Sequence, residues 1–430
     1  MSIVMGSINP NTFVTARQDQ PFRRVSFLTA PERAGRRGYW DQTPGLQKAL
    51  DLNGKINKIQ KKMVRTLINI AVIIALSGCG SNSTVKPPVN HLKIKNLLVG
   101  QTDSIYNQAK YFPDNTQFAL ALIHDGQVVY YGIQRLNDTL ITIENKSKVF
   151  EIGSITKVFT TTLLANFVLN KEVDLDSTIN KYFNFPFKDN QVFTFRELAN
   201  HTSGLPRLPS NIRFDAIFSS KNPYKDYDEQ KLDEYLQNDI SPDYPKGSKS
   251  AYSNLGMGLL SYSLRKLSGK SYEQLAREMI FDKYNMVNSG TNKRKIETHL
   301  IGGLDDKGRP TPNWEPGALI GAGGIYSTVE DLTKFAFAQF DSANAELALT
   351  RVKTYRDNKF RDVGLGWFII NRKNGNKWFW HNGGTGGYST SMAIDIEHKN
   401  GVIILSNISS FHKNFKNIDN LCFSLMKTLY

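Results

Sequence analysis

The chain has 430 residues, an apolar fraction of 40% and a formal net charge of +15 at neutral pH. This length allows one large hydrophobic core or two of medium size. The positive charge is densest in residues 1–62, and the rest of the chain is only mildly basic. No stripe of Lys and Arg with interleaved aromatic residues occurs, which argues against a nucleic-acid partner.

The amino-terminal part divides into two segments. Residues 1–62 show no apolar periodicity and are predicted to be a disordered or non-native extension, with the natural start at Met63. Residues 63–79 then combine a basic residue, Arg65, with an apolar run and small residues before Cys79. That order is typical of a secretory signal peptide. Its apolar run is shorter than a membrane-spanning helix normally requires.

The end of this segment, residues 76–79, resembles the bacterial lipobox, in which the cysteine is lipidated and becomes the amino terminus. The alternative is a buried core helix, but the basic residues before the run and the polar residues 80–84 after it argue against that. We therefore expect a lipoprotein signal peptide, a lipid on Cys79 and attachment to a membrane. The second cysteine, Cys422, is expected on a carboxy-terminal helix, and no zinc-site spacing is present.

Residues 80–90 are predicted to be a linker, and the folded part is predicted to begin at residue 91. A helix is expected over 92–111. Strands at 117–123 and 127–132 flank His124, Asp125 and Gly126, which is a hairpin signal.

The next feature is a buried helix that begins with a polar pair. Residues 158–169 are mostly apolar, as expected of a helix that is buried on all sides. Ser154 and Lys157 precede this run and share a face at its positive dipole end, and Gly153 allows a tight turn. A desolvated lysine loses its proton easily and can act as a base toward serine.

The Ser-x-x-Lys spacing is common, so it indicates a catalytic pair only together with this helix. It recurs in four pairs for which a solvated polar pair is the simpler interpretation: Ser83 and Lys86, Ser263 and Lys266, Ser410 and Lys413, and Ser424 and Lys427. Ser154 differs from these serines because it stands at the entrance of an apolar helix.

The remaining pattern indicates an α/β (α+β) fold. Residues 171–319 show helical runs and turns with few strand patterns, and Ser327 to Glu330 form a capping box for a helix through Phe340. Strands return at 364–370, 377–380, 388–395 and 402–406, and a terminal helix covers 411–429. We predict one discontinuous α/β domain, residues 91–170 and 320–430, with an inserted helical domain, residues 171–319.

Two further motifs supply partners for Ser154. A tyrosine near a lysine ammonium, such as Tyr252, can have a lowered pKa and exchange protons with a serine, and Asn254 can hydrogen-bond a substrate carbonyl. After His381, the glycines Gly383 and Gly384 permit close approach of a substrate and offer N–H groups to an oxyanion. The alternatives are a core tyrosine, a structural histidine and an ordinary turn.

In this order the three motifs resemble those of the serine β-lactamase and penicillin-binding-protein superfamily, most of all its class C-like branch. Residues 200–206 and 321–328 are also similar to segments of that branch, and the resemblance covers roughly 91–430. It implies an antiparallel sheet flanked by helices, an inserted helical domain and a site between them. It implies no metal and no organic cofactor.

The resemblance also assigns roles. Ser154 would be the acylated nucleophile, and Lys157 and Tyr252 its proton-transfer partners. Asn254 and His381 would face the substrate, and the N–H groups of Ser154 and Gly384 would form the oxyanion hole.

One position departs from the class C pattern, which usually has Lys-Thr-Gly where this chain has His381-Asn382-Gly383. A histidine there is more similar to D-amino-acid peptidases, carboxypeptidases and esterases. With an ordinary pKa of roughly 6.5, His381 would be cationic mainly in mild acid, unlike a lysine. We therefore expect a weaker hold on a substrate carboxylate and inefficient β-lactam hydrolysis.

These observations predict a serine hydrolase of the bacterial cell envelope, lipid-anchored and facing the periplasm or the exterior. Its substrate would be a small molecule or a peptide: a β-lactam, a D-amino-acid peptide or a small ester. The alternatives are a true class C-like β-lactamase, a penicillin-binding sensor that is acylated without turnover, and a surface-anchored binding protein with a decayed site.

Overall fold

The computed structural model describes residues 87–93, 96–212 and 222–430. The predicted extension 1–62, the predicted signal peptide with Cys79 and most of the predicted linker lie outside these residues. The last residues of the predicted linker belong to a strand, Val89–His91, so they are part of the described fold and not of a linker. In the part of the chain that is described, no helix has the length and apolar character needed to cross a bilayer.

The strands and helices are numbered in chain order. The strands are β1 (Val89–His91), β2 (Gln117–His124), β3 (Gln127–Leu136), β4 (Thr139–Ile143), β5 (Phe150–Glu151), β6 (Gly303–Leu304), β7 (Pro310–Thr311), β8 (Tyr326–Ser327), β9 (Tyr355–Arg356), β10 (Arg361–Val363), β11 (Phe368–Asn371), β12 (Lys377–Gly384), β13 (Ser389–Asp395) and β14 (Asn400–Ser406). The helices are α1 (Val99–Ala109), α2 (Thr156–Leu169), α3 (Phe195–Ala199), α4 (Glu229–Asn238), α5 (Asn254–Ser268), α6 (Tyr272–Ala276), α7 (Lys293–Ile296), α8 (Val329–Phe340), α9 (Ala345–Arg351) and α10 (Asn417–Met426).

A large sheet joins the two ends of the described chain. It contains 10 strands in the order β1-β4-β3-β2-β14-β13-β12-β11-β10-β9. Strand β1 pairs in parallel with β4, and the other neighbours are antiparallel. The contact between β2 and β14 brings the early and late strands into one sheet. The predicted α/β fold with an antiparallel sheet flanked by helices is confirmed.

The sheet is covered on both faces, which explains the continuous apolar run of β2. Alternate residues of this strand point to opposite faces. Ala119, Ala121 and Ile123 join a large hydrophobic cluster that includes α2 and α8. Phe118, Leu120 and Leu122 join a second cluster with α1 and α10. The predicted turn after β2 is present, and Asp125 and Gly126 both have positive φ, as a tight hairpin turn requires.

Several element ends differ from the sequence-based expectation. Helix α8 is capped by Thr328, whose hydroxyl accepts a hydrogen bond from the N–H of Asp331 at 3.0 Å. The predicted capping box one residue earlier is wrong, because Ser327 belongs to β8 and pairs with Phe150 of β5. Helices α1 and α10 are both shorter than predicted. The domain boundaries at 170/171 and 319/320 stay a prediction.

Candidate active site

Ser154 lies in a tight turn at the entrance of α2. A 3-10 turn, Gly153–Ile155, leads into the helix, which is buried along nearly all its length, as predicted. Gly153 has φ of +52°, and a Cβ atom at this position would lie 2.7 Å from the amide nitrogen of Gly384. Only a glycine both makes this turn and lets β12 approach it so closely. The serine is therefore held against the end of that strand.

Lys157 is fully buried directly beside Ser154. Its Nζ lies 3.1 Å from Ser154 Oγ, 2.9 Å from Asn254 Oδ1 and 2.6 Å from the backbone oxygen of Ala322. Burial lowers the pKa of this amine well below its usual range, and the positive charge of Arg207 lowers it further. The structure thus favours the neutral amine.

The hydrogen bonds of Lys157 determine where the N–H groups and the lone pair of the neutral amine point. The oxygens of Asn254 and Ala322 can only accept hydrogen bonds, so they take the N–H groups of the amine. The lone pair is then left for the hydroxyl of Ser154. This arrangement can remove a proton from the serine without a histidine.

Tyr252 lies next to both residues, immediately before Ser253, the N-cap of α5. The centre of its ring is 4.8 Å from Lys157 Nζ, and its hydroxyl is within hydrogen-bonding reach of Ser154. The expected lowering of its pKa is wrong: burial raises the pKa of Tyr252, because the phenolate would lose its solvation. Tyr252 therefore remains a protonated hydroxyl that can pass a proton on.

Asn254 contacts Lys157 as well as lining the cavity. Besides accepting from Lys157, its amide nitrogen donates to the hydroxyl of Tyr224 at 2.9 Å. The side chain also reaches the cavity that contains Ser154. Its predicted contact with a substrate carbonyl stays a prediction, and its position shows in addition how Lys157 is oriented.

His381 lies behind Tyr252 and is not part of the described cavity wall. Its side chain is 1% exposed and packs against the rings of Tyr252 and Phe368, at 6.1 and 5.5 Å between centroids. Its Nδ1 lies 2.6 Å from the backbone oxygen of Asn382, an acceptor, so Nδ1 carries the proton of the neutral ring.

The charge state of His381 differs from the expectation. Burial and the neighbouring Lys157 lower the pKa of His381 to about 3. The expectation that this imidazole becomes cationic near pH 6.5 is therefore wrong, because an ordinary pKa requires solvent that the folded protein excludes. The third motif, residues 381–383, therefore carries no cation at neutral pH. The predicted contact of His381 with a substrate stays a prediction.

Five of the predicted site residues line one cavity of about 570 Å³. Ser154, Tyr252, Asn254, Gly383 and Gly384 all line it. Strand β12 continues to Gly384, beyond its predicted end at residue 380, and this extension places both glycines beside the serine turn. The arrangement brings together a serine hydroxyl, a buried amine, a phenol and a strand edge of two glycines.

Sequence reasoning missed His201, which supports Tyr252 from the other side. It has φ of +63°, unusual for a residue other than glycine, and its Nδ1 accepts a hydrogen bond from the N–H of Ser253 at 3.3 Å. Its ring centre lies 4.7 Å from that of Tyr252, and burial lowers the pKa of His201 well below its usual range. The only signal was that residues 200–206 resemble a family segment, which does not indicate this contact.

Comparison with known proteins agrees with this geometry. A family profile described as Beta-lactamase matches residues 115–421. The chain is 27% identical over 383 residues to the D-alanyl-D-alanine-carboxypeptidase/endopeptidase AmpH of Escherichia coli K12, which is 83% of this chain and 95% of the relative. It is 27% identical over 238 residues to a β-lactamase of Lysobacter lactamgenus, covering 54% of this chain and 58% of the relative.

A third relative is penicillin-binding protein 4* of Bacillus subtilis 168, 27% identical over 286 residues, which is 61% of either chain. The present chain thus spans nearly all of AmpH and less than two thirds of the other two relatives. The profile covers most of the part that contains the sheet, the serine turn and the third motif. The chain belongs to the Beta-lactamase family and is a serine hydrolase of that family.

Proposed function

We propose that the protein hydrolyses an amide or ester bond through an acyl intermediate on Ser154, and that D-amino-acid peptides or small esters are better substrates than β-lactams. The observation that carries the proposal is the buried Lys157, whose Nζ lies 3.1 Å from Ser154 Oγ and whose other two contacts are with acceptor oxygens.

The reaction follows from these contacts. Lys157 takes the proton of Ser154 as its Oγ attacks the substrate carbonyl, and the backbone N–H groups of Ser154 and Gly384 stabilise the oxyanion. The hydroxyl of Tyr252 gives its proton to the leaving group and regains one from Lys157. A water molecule then attacks the acyl-serine, giving up a proton to the same pair, and the second product leaves with Ser154 restored.

Two observations support the substrate preference. His381 supplies no cation at neutral pH, so a β-lactam carboxylate directed at the position of the third motif meets no charged donor there. AmpH, which matches 83% of this chain, is named as a D-alanyl-D-alanine carboxypeptidase and endopeptidase. Because one relative, from Lysobacter, is named as a β-lactamase, a true β-lactamase is the second candidate.

The test compares four substrates with the purified full chain: a peptide ending in D-alanyl-D-alanine, the same peptide ending in L-alanyl-L-alanine, p-nitrophenyl acetate and a chromogenic cephalosporin. We expect kcat/KM for the D-peptide or the ester to exceed that for the cephalosporin by about tenfold or more, as a difference of about 1.4 kcal/mol gives. The L-peptide is the matched control and should not be cleaved.

Other outcomes separate the alternatives. Cephalosporin as the best substrate would identify a β-lactamase. A single burst of acylation by the cephalosporin, with no turnover of any substrate, would identify a sensor. No reaction with any of the four would contradict the proposed function.

We also propose that the protein is exported and held at the cell envelope by a lipid on Cys79. The order of basic, apolar and small residues in 63–79 supports this proposal. A chain expressed from Met63 in a bacterium should appear in the membrane fraction, and Cys79→Ser should move it to a soluble fraction. If both forms remain in the cytoplasm, the proposal is wrong.

A further inference from the structure

The described charged residues that line the cavity around Ser154 are all basic. Its described lining residues include two cations, Arg207 and Arg361, and no aspartate or glutamate. The third motif, residues 381–383, adds no cation at neutral pH, because His381 is buried and neutral. A cavity of one sign attracts ligands of the opposite sign.

Arg361 is already engaged by a carboxylate. Its Nε donates to Asp357 Oδ2 at 2.7 Å, its terminal nitrogen also contacts Asp357, and its guanidinium lies 5.0 Å from the ring centre of Phe368. A second carboxylate at Arg361 would have to compete with this pair.

Arg207 is differently placed. It is exposed, and no ion pair or side-chain hydrogen bond of Arg207 occurs within residues 87–93, 96–212 and 222–430. Its guanidinium carbon lies 5.2 Å from the ring centre of Tyr252. With respect to the described residues, its donors are therefore available to a ligand beside Tyr252.

The backbone fixes Arg207 at this place. Its carbonyl oxygen accepts hydrogen bonds from the N–H groups of Asn254 and Leu255, at 3.0 and 3.1 Å, in the first turn of α5. The same helix start carries Asn254 and follows Tyr252 directly. The backbone of Arg207 is thus held next to Tyr252 and Asn254 by main-chain hydrogen bonds.

We propose that Arg207 forms the anion subsite of this enzyme and selects substrates with a carboxylate on the leaving group, such as a peptide with a free carboxy terminus. This inference rests on the proposed hydrolase function. Tyr252 gives its proton to the leaving group, so a carboxylate close to the scissile bond on that side lies near Arg207. A planar guanidinium can hold a carboxylate with two parallel hydrogen bonds.

An anion bound at Arg207 also affects the base. The charge of Arg207 is one of the causes that lower the pKa of Lys157. A carboxylate on Arg207 offsets that charge, so Lys157 is a stronger base in the complex with an anionic substrate than in the free enzyme. An anionic substrate is therefore bound more tightly and also acylates Ser154 faster.

The test uses two peptides that differ in one group: one ends in D-alanyl-D-alanine with a free carboxylate, and the other in the corresponding carboxamide. In wild type we expect kcat/KM to favour the carboxylate by about tenfold or more, the range of a hydrogen bond to a charged group. Arg207→Gln should bring the ratio close to one, and Arg207→Lys should keep part of it. The preference should also weaken in 1 M NaCl, because Arg207 is exposed.

Arg361→Gln is the matched control, since it removes the other guanidinium of the same cavity, and we expect it to leave the ratio unchanged. If Arg361→Gln rather than Arg207→Gln changes the ratio, Arg207 does not bind the carboxylate and the inference is wrong. The same holds if Arg207→Gln lowers kcat/KM equally for both peptides. A wild-type ratio of one with both peptides cleaved also overturns it but leaves the hydrolase intact. Failure to cleave either peptide or p-nitrophenyl acetate would contradict the hydrolase proposal itself.

Discussion

Ser154→Ala is expected to abolish covalent labelling by a fluorescent penicillin or a fluorophosphonate and to lower kcat by about 10⁴-fold or more, as removal of a catalytic serine does elsewhere. Its hydroxyl is the one that faces Lys157 Nζ and Tyr252 in the described site. Labelling followed by gel fluorescence, together with hydrolysis of the best substrate, measures both effects.

The other Ser-x-x-Lys serines provide the controls. Ser410→Ala is the closest match, because Ser410 lines the same cavity but donates its hydroxyl to the backbone oxygen of Thr385 at 3.0 Å. Ser263 donates to the backbone oxygen of Leu259 within α5. Ser410→Ala, Ser263→Ala and Ser424→Ala should all keep the label, as should Ser83→Ala, which lies outside the described residues. Labelling that survives in the Ser154 variant would remove the central proposal.

Lys157→Met is expected to lower kcat/KM by about 10³-fold or more, within the range found when a catalytic base is removed. The lysine is the proposed base, and its low pKa means that it is neutral over a wider pH range than an exposed lysine. In wild type, kcat/KM should fall as the pH drops through the pKa of Lys157, because protonation occupies the lone pair. That acid limb should be absent from the residual activity of the variant.

Lys157→Arg separates a base from a positive charge. An arginine stays protonated and cannot accept the proton of Ser154, so it should be as inactive as Lys157→Met. Thermal unfolding of both variants, with wild type as reference, checks that the fold is retained. Substantial activity in Lys157→Arg would mean that the site needs only a cation and that another group is the base.

The parts of the site that could be predicted are those encoded by local spacing. Ser154 and Lys157 lie three residues apart where the 3-10 turn leads into α2, so their contact follows from this spacing and from the apolar residues that continue the helix. Tyr252 and Asn254 were assigned through an ordered set of motifs, and the fold brings them to the same cavity. The hairpin of β2 and β3 is likewise local, because its turn residues set the register.

The charge states could not be predicted, because they depend on burial by distant segments. Tyr252 and His381 both have ordinary pKa values as isolated side chains, and both are shifted by the loss of solvent in the fold. The carbonyl of Ala322 and the ring of His201 carry no sequence signal for their contacts with Lys157 and Tyr252. The capping prediction for α8 failed for a similar reason, since pairing with β5 draws Ser327 into a strand.

The close backbone contacts around the serine turn have a consequence for how such an enzyme can evolve. A Cβ atom at Gly383 would lie 2.0 Å from the backbone oxygen of Ile152, and one at Gly153 would lie 2.7 Å from the nitrogen of Gly384. No side chain fits at these positions, so the backbone geometry of the proposed oxyanion hole cannot change by single small substitutions. Arg207 lines the same cavity but its side chain is exposed, so it can be exchanged without disturbing these backbone contacts. New substrate ranges can therefore arise at this position while the backbone around the serine turn is inherited unaltered.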